Sequence, residues 1–369
     1  MLSEFYTRGR DNNFNLLRLT AALLVLYSHS FPLSDGESTQ VELVTYLLGR
    51  DSGGAVAVDA FFLMSGFLIS GSMLSSQNLW IYLRSRALRI FPALAASVLL
   101  CAFAIGPLVT TLNPRDYFAD HETWRFLWIN MSLVQSSFAL PGVFVELPNT
   151  SPNGSLWTLP NEARMYVAVA ALWAIGVLGR PKLLLAVIIA ATGLALSRPG
   201  LAELLFFQPL GPRCGVFFAI GMLTMAFRSH IRIHGGIAAG LIALAVATRG
   251  TPQFVVAYGA ALSYGLLWLA YVPDFRWFNR IGDYSYGIYI FAFPIQQTLV
   301  WALPPLKPLE LFVAALPPTL LFAILSWHFI EKPALAFARP RRVTRDHGTR
   351  VVAEAPISPS NVTASTGAE

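Results

Sequence analysis

A small set of ionisable side chains lies inside long apolar stretches of this chain, where charges are uncommon. Placing a charged group at mid-bilayer costs at least about 2.5 kcal/mol, so each member is a candidate functional residue. An imidazole supported by a carboxylate, with a cation to balance it, is the arrangement that general acid-base chemistry requires. The set comprises Arg18, His29, Asp59, Glu162, Arg164 and Arg213.

Arg18 and His29 are predicted to share one helix face. Their spacing of eleven residues is a rotation of about 1100°, roughly 20° from whole turns, and a rise of about 16.5 Å. Arg18 is then expected toward the cytoplasm and His29 toward the outside. Asp59, Glu162 and Arg213 are expected at nearly the depth of His29, so that four helices converge on one pocket.

Two other interpretations fit the same residues. Intramembrane histidines and Asp–Arg pairs also hold helices together without taking part in chemistry. Buried charges are equally typical of a proton-coupled transporter or flippase, which is the alternative function. Transporters often consist of repeated halves with broken helices, and no such repeat is visible in this sequence.

A second cationic motif, with Arg86 and Arg89 three residues apart, is predicted on one face of a helix. Two guanidinium groups suit a phosphate-rich ligand, because arginine binds phosphate bidentately. Anchoring at the cytoplasmic membrane surface explains the same motif equally well.

Composition predicts what positions these residues. Hydrophobic residues make up 55% of the 369-residue chain and charged residues 12%, which excludes an ordinary soluble domain. Several apolar stretches have the roughly 20-residue length that a bilayer requires. The predicted fold class is all-α, a polytopic transmembrane bundle of about ten spans at 15–33, 54–74, 87–108, 156–178, 182–197, 204–227, 235–248, 254–272, 284–303 and 310–330.

Basic residues indicate orientation. Most lie between spans on the side of both termini, which the positive-inside rule assigns to the cytoplasm. The net charge of +6 therefore reflects topology, and no aromatic-basic motif predicts a nucleic-acid partner. Cys101 and Cys214 are expected as buried thiols, and no metal site is predicted. Residues 1–335 are predicted as one membrane domain and 336–369 as a basic, then disordered, cytoplasmic tail.

Motifs in a fixed order resemble the acyltransferase-3 family of integral membrane acyltransferases, from about residue 12 to 333. Arg18 and His29 match its Arg–ten residues–His signature, and Arg86 and Arg89 match its Arg-x-x-Arg motif. Residues 57–67 (AVDAFFLMSGF), 155–162 (SLWTLPNE), 285–289 (SYGIY) and 331–333 (EKP) are similar to four further motifs. The chain departs where many members carry a histidine after Ser-Tyr, since residues 291–294 read FAFP.

The resemblance implies transfer of an acetyl-type group from acyl-CoA, usually acetyl-CoA, to a hydroxyl of a carbohydrate or lipid-linked glycan. Acetyl-CoA would be a co-substrate, with no permanently bound cofactor. Some relatives carry a fused extracytoplasmic transferase domain. This chain is expected either to acylate the acceptor itself or to pass the acyl group to a separate partner. The expected location is the bacterial inner membrane.

Roles for individual residues follow as hypotheses. His29 is the expected general base, with Glu162 or Asp59 orienting its ring, and an acyl-histidine intermediate remains an alternative. Arg86 and Arg89 are expected to bind the donor phosphates, with Arg18 beside the CoA arm. The remaining residues are expected to line the acceptor mouth or support the site, and for Trp157 interfacial packing is the competing explanation. They are Tyr166, Trp157, Arg213 and Tyr286.

Overall fold

The computed structural model describes residues 1–7, 11–34, 40–49, 51–198, 200 and 210–338. Within these ranges the chain forms helices and no strand, apart from an isolated bridge between Thr110 and Val143. The predicted all-α class is therefore confirmed. Apolar segments favour helices because a helix satisfies every backbone hydrogen bond within the segment itself.

The helices are numbered in chain order. They are α1 (Leu2–Thr7), α2 (Phe14–Leu33), α3 (Leu43–Leu48), α4 (Gly53–Ser76), α5 (Leu79–Leu100), α6 (Gly106–Val109), α7 (Pro114–Ala119), α8 (His121–Ser132), α9 (Thr158–Ala174), α10 (Pro181–Ser197), α11 (Gly211–Ala226), α12 (Gly235–Ala247), α13 (Phe254–Tyr271), α14 (Ser285–Ala302), α15 (Pro308–Ser326) and α16 (Lys332–Ala338).

Each of the ten predicted spans contains a helix, although the first part of span 204–227 lies outside the described residues. Helices long and apolar enough to cross a bilayer are α2, α4, α13, the α5–α6 segment Leu79–Val109 and the α15–α16 segment Pro308–Phe337. Helices α10, α11 and α12 are apolar but shorter. The structure thus supports a membrane bundle, while the number of spans and their orientation stay predictions.

Helix α4 forms the centre of the bundle, with 67% of its apolar window buried against 44% or less in the other long helices. It packs on α11 through two glycines. A Cβ atom on Gly66 would lie 2.1 Å from the Phe218 carbonyl oxygen, and one on Gly221 would lie 2.2 Å from that of Leu63. Small residues permit this close backbone approach, which is a common way for membrane helices to associate.

Two helices contain a π-helical turn. One turn, Cys101–Ile105, joins α5 to α6, and the other, Trp327–Glu331, joins α15 to α16. Such turns often occur at functional sites. The second turn carries the buried carboxylate Glu331. Helix α16 crosses the predicted domain boundary at 335, and the rest of the predicted tail, residues 339–369, lies outside the described part of the chain.

Candidate active site

His29 lies in the contact between α2 and α14. Its ring meets the edge of the Phe293 ring, with centroids 5.2 Å apart and planes at 82°. The residue is half-buried, and its Nδ1 atom is buried without a hydrogen-bond partner. The imidazole therefore packs on Phe293, and one of its two nitrogens is closed off from the surroundings.

Neither of the carboxylates expected to orient His29 bonds to it. Asp59 accepts two hydrogen bonds from Arg213, at 2.8 and 2.6 Å, and a third from the Tyr258 hydroxyl at 2.7 Å. Arg213 also donates to Asp51 at 2.7 Å. Asp59 is only 1% exposed, and the three hydrogen bonds from Arg213 and Tyr258 occupy most of its acceptor sites. Arg213 was expected to support the site, and in the structure the carboxylate that it binds twice is Asp59.

Glu162 also lies elsewhere than predicted. Its carboxylate accepts a hydrogen bond from the Tyr166 hydroxyl, one turn along α9. It lies within electrostatic reach of Arg18 and Tyr286. The prediction that it shares the depth of His29 is wrong, because α9 begins deep in the bundle, where Thr158 meets the Tyr289 hydroxyl at 2.7 Å.

The segment before α9 explains that depth. Asn153 donates to the Ile290 carbonyl at 2.9 Å and to the Ser97 hydroxyl at 3.1 Å, and it is fully buried. The Tyr289 hydroxyl donates to the Ser155 carbonyl at 2.9 Å. Residues 149–157 thus enter the bundle as a polar loop, which is tolerated at membrane depth only where protein buries it. The sequence prediction starts a membrane-spanning helix at the surface at residue 156. It therefore places Glu162 too near the surface.

Four charged residues form what we call the ion-pair belt: Arg18, Arg89, Asp283 and Glu331. Asp283 lies 2.7 Å from Arg89 and 3.5 Å from Arg18, and Arg89 lies 3.7 Å from Glu331. Ser326 and Ser285 donate to the two carboxylates. Each charge in the belt therefore has an opposite charge within 4 Å.

The belt is recessed in the bundle. The Tyr286 hydroxyl donates to the Ile90 carbonyl at 3.0 Å, so α14 begins level with Ile90. That level is about 16 Å along α5 from Leu79, at 1.5 Å per residue. Tyr286 also lies under the Arg89 guanidinium, 5.6 Å from the ring centroid. Tyr286 therefore supports the belt.

Asp283 lies in the connection before α14, and its carboxylate is electrostatically stabilised. Burial raises its pKa, but the attraction of Arg89 and Arg18 and the bonds from Ser285 outweigh burial and hold the pKa below its usual range. Asp283 is therefore ionised at neutral pH. The pairing with Arg89 contributes to stability above pH about 4 and is lost as the pH falls through the lowered value.

Arg86 differs from Arg89. Its guanidinium contacts the Tyr166 ring at 5.9 Å and donates to Ser85 at 3.2 Å, and among the described residues it has no carboxylate within 4 Å. Arg84, on the same turn, is exposed. The two arginines of the predicted pair therefore differ. Arg89 is paired with the two belt carboxylates, whereas Arg86 has no carboxylate partner among the described residues.

The aromatic residues expected at an acceptor mouth are mostly enclosed. Tyr166 is buried between Glu162 and Arg86, and its carbonyl accepts from the Tyr82 hydroxyl at 3.0 Å. Trp157 is partly buried against the main hydrophobic core, as the packing explanation predicts. Neither lies beside His29 in the contacts of the described residues.

Sequence reasoning missed several residues around the site: Asp283, Glu331, Asn153, Gln296 and Gln297. Asp283 lies two residues before the motif at 285–289 and Glu331 begins the motif at 331–333, so their positions were visible, but their partners were not. Gln297 donates to the Asn149 and Ser151 carbonyls at 2.5 and 2.9 Å and ties the polar loop to α14. The amides carry no formal charge, and the sequence criterion singled out only ionisable groups within apolar stretches. Among the described residues no three His, Cys, Asp or Glu side chains are grouped to hold a metal ion.

The fold and site together define a polytopic membrane protein with a histidine at a helix contact and buried ionic networks. Comparison with known families specifies the class further. The acyltransferase-3 family, described as an acyltransferase domain, matches residues 11–328. The chain belongs to this family, as its motifs predicted, and it is an O-acyltransferase of the membrane.

Three curated relatives carry related names. The chain is 30% identical to the O-acetyl transferase of Shigella phage Sf6, over 90% of this chain and 98% of that protein. It is 28% identical to nodulation protein 10 of Rhizobium leguminosarum bv. viciae, over 90% and 95%. It is 25% identical to the peptidoglycan O-acetyltransferase OatA of Listeria monocytogenes, over 76% of this chain and 51% of that protein. No solved structure matches the chain.

Proposed function

We propose that this protein transfers an acetyl or other short acyl group from acyl-CoA to a hydroxyl of a carbohydrate or lipid-linked glycan. The observation that carries the proposal is His29, a half-buried imidazole on α2 that packs on Phe293 of α14 and has a buried Nδ1 atom. The relatives named as O-acetyl transferases, one of them acting on peptidoglycan, support the acyl group and the acceptor class.

The proposed location is the bacterial inner membrane, with about ten spans and both termini in the cytoplasm. The asymmetry of basic residues supports this orientation. Among residues that the structure describes, the proposed inner side holds Arg84, Arg86, Arg89, Arg180, Lys182, Arg228, Arg232, Arg276, Arg280 and Lys332, and the proposed outer side holds Arg115, Arg125, Arg198, Arg249 and Lys307.

Acyl-CoA would enter from the cytoplasmic side and meet Arg86 first. A guanidinium without a carboxylate partner is free to bind a phosphate bidentately, whereas Arg89 is already engaged. Arg89 and Arg18 are therefore proposed to shape the path through the belt, with their carboxylates neutralising their charge. Beyond the belt the arm of the donor would carry the thioester toward His29, about 16.5 Å further along α2 from Arg18.

His29 then acts as the general base. It takes the proton of the acceptor hydroxyl while the hydroxyl oxygen attacks the thioester carbonyl carbon. The carbon–sulfur bond breaks, and the CoA thiolate leaves and recovers the proton from the imidazolium. In the alternative route His29 attacks the thioester itself and carries the acyl group until the hydroxyl displaces it. Both routes need the same residue at the same place, and both deliver the acyl group either to the glycan or to a separate extracytoplasmic transferase.

Replacement of His29 tests the proposal. The purified His29→Ala protein, incubated with labelled acetyl-CoA and a glycan acceptor, should lose about 10²–10⁴-fold in transfer rate, the usual contribution of a positioned general base. His121→Ala is a matched control, because His121 is an exposed imidazole on α8. Full transfer by His29→Ala would contradict the assignment. A wild-type protein that consumes no acetyl-CoA would instead favour the transporter alternative.

A further inference from the structure

Gln296 is a fully buried amide on α14 with one unused atom. Its Nε2 donates to the Leu26 carbonyl at 2.9 Å and to the Ser30 hydroxyl at 2.7 Å. A carbonyl only accepts hydrogen bonds, so the nitrogen must lie on that side and the orientation of the amide is fixed. The Oε1 atom is buried and has no donor. A buried acceptor left without a donor costs about 1–3 kcal/mol, which calls for an explanation.

His29 supplies a complementary unused atom at the same helix contact. Leu26 and Ser30, the two residues that Gln296 binds, precede and follow it on α2. Phe293, one turn before Gln296 on α14, packs its ring on the imidazole. The Nδ1 atom of that imidazole is buried and unpartnered. One buried acceptor and one nitrogen able to donate therefore occur on adjoining turns of the two helices.

We propose that Gln296 is the positioning residue for His29, its Oε1 accepting a hydrogen bond from Nδ1–H in the working enzyme. This inference rests on the proposed function. Catalytic hydrogen bonds in ligand-free structures are often long and form only when substrates bind. A neutral amide fills the same position behind the histidine of Cys-His-Asn proteases. Substrate binding would bring the two unused atoms together.

The chemical consequence concerns the tautomer. With Nδ1 carrying the proton, Nε2 presents its lone pair to the acceptor hydroxyl and takes the hydroxyl proton as the oxygen bonds to the thioester carbon. The ring is briefly an imidazolium, whose Nδ1–H bond to Gln296 strengthens. The proton then passes from Nε2 to the departing CoA thiolate, so that His29 returns to its starting form.

No carboxylate competes with Gln296 for this role among the described residues. Asp59 is held by Arg213 and Tyr258. Glu42 accepts from the Gly53 N–H at 2.7 Å and bonds Ser28. The other titratable groups on α2 and on the helical segments packed against it make no hydrogen bond, ion pair or ring contact with the imidazole in the described structure. They are Arg18, Tyr27, Tyr264, Tyr271, Arg276, Arg280, Tyr286, Tyr289 and Glu310.

The test compares two substitutions at Gln296 with the same two at Gln297. Gln296→Met keeps the size and removes both the Oε1 acceptor and the Nε2 donor, whereas Gln296→Glu also loses the donor but keeps an acceptor and adds a charge. Gln297 is a matched control, because it is a neighbouring buried amide that donates to two loop carbonyls. Each purified variant is assayed for kcat and for KM of both substrates across pH 5 to 9.

Gln296→Met should lower kcat about 10- to 100-fold with little change in either KM, since an unheld ring spends most of its time in the wrong tautomer or orientation. Gln296→Glu should restore most of kcat and move the acid limb of the kcat profile about one pH unit upward, because a carboxylate favours the imidazolium. The Gln297 variants should leave the profile where the wild type has it.

Three results would overturn the proposal. One is a Gln296→Met enzyme with wild-type kcat. Another is a raised KM for the acceptor with kcat and pH profile unchanged, which would make Gln296 a contact of the acceptor. The third is an unmoved acid limb in Gln296→Glu, which decides the matter even if Gln296→Met does not fold. Failure of the proposed function is distinguishable, because it would appear as absent transfer in the wild type.

Discussion

The ion-pair belt joins α2 and α5 to the start of α14 and to the π-turn after α15, whereas His29 lies in the contact between α2 and α14, and the two regions differ in how their polar groups are paired. In the belt every charge has an opposite charge within 4 Å, although one carboxylate oxygen, Oε2 of Glu331, accepts no hydrogen bond. At the contact of α2 with α14, Nδ1 of His29 and Oε1 of Gln296 are buried without partners, as is Oγ of Ser155 in the segment before α9. Satisfied networks hold helices together, and unsatisfied atoms mark where substrates or catalytic contacts complete the structure.

The difference changes which motif residues should be regarded as functional. Arg89 matches a family motif, yet its contacts are those of a residue that joins α5 to the start of α14 and to the π-turn after α15. His29 also matches a motif, yet it makes no hydrogen bond within the described structure. Motif membership alone does not separate structural from chemical roles, and His29 differs from Arg89 in having no hydrogen-bonding or charged partner among the described residues.

The largest effect is expected from breaking the belt. Arg89→Ala would leave Asp283 and Glu331 without their shared cation, and removing one partner of a buried ion pair typically costs about 3–5 kcal/mol. We expect little folded protein in detergent, measured by size-exclusion chromatography and thermal unfolding. Arg89→Lys should recover part of the yield. A well-folded Arg89→Ala enzyme with a raised KM for acyl-CoA alone would restore the predicted donor role for Arg89.

The Asp59 network allows a graded version of the same experiment. Asp59 is nearly inaccessible and accepts three hydrogen bonds, whereas Asp51 accepts one from Arg213 and is more exposed. Asp59→Asn should therefore lower the free energy of unfolding by about 2–3 kcal/mol and Asp51→Asn by about 1 kcal/mol or less. Equal losses in thermal unfolding would show that burial does not set the difference.

Arg86 tests the same comparison at the proposed binding site for acyl-CoA. Loss of a hydrogen bond to a charged group costs about 1.5–3 kcal/mol, so Arg86→Ala should raise the KM for acyl-CoA about tenfold and leave the KM for the acceptor unchanged. Arg84→Ala is the control, because Arg84 lies on the same turn and is exposed. Equal effects of the two substitutions would indicate general attraction to the membrane surface or to CoA instead of a site.

Much of the fold was predictable, and the reasons are physical. Long apolar stretches are restricted to helices by the hydrocarbon, so the segments holding α2, α4 and α13 follow from length and composition alone. The short helix α9 was harder to place, because hydropathy does not reveal that the polar loop before it enters the bundle. Glu162 was consequently assigned to the wrong depth.

Several residues of the site could be identified from the sequence, but their hydrogen-bonding and ion-pair partners could not. His29, Arg18, Asp59 and Arg213 were identifiable because charges inside apolar stretches are costly. Their pairing was not, since Arg213 could be assigned to Asp59 only once α4 and α11 were packed together. Gln296 could not be found at all from composition, because its importance lies in one unbonded oxygen that exists only in the folded chain.

The smallest effect tests the idea that unbonded atoms mark function. The buried hydroxyl of Ser155 has no partner, so Ser155→Ala should change the free energy of unfolding by less than about 0.5 kcal/mol or even increase it. Ser97 is the matched control, because its hydroxyl donates to the Ile290 carbonyl and accepts from Asn153. Ser97→Ala should therefore cost about 1 kcal/mol or more. If the Ser155 hydroxyl meets a substrate, Ser155→Ala should lower kcat/KM severalfold despite its unchanged thermal unfolding. If Ser155→Ala lowered the free energy of unfolding as much as Ser97→Ala does, the Ser155 hydroxyl would have a structural role.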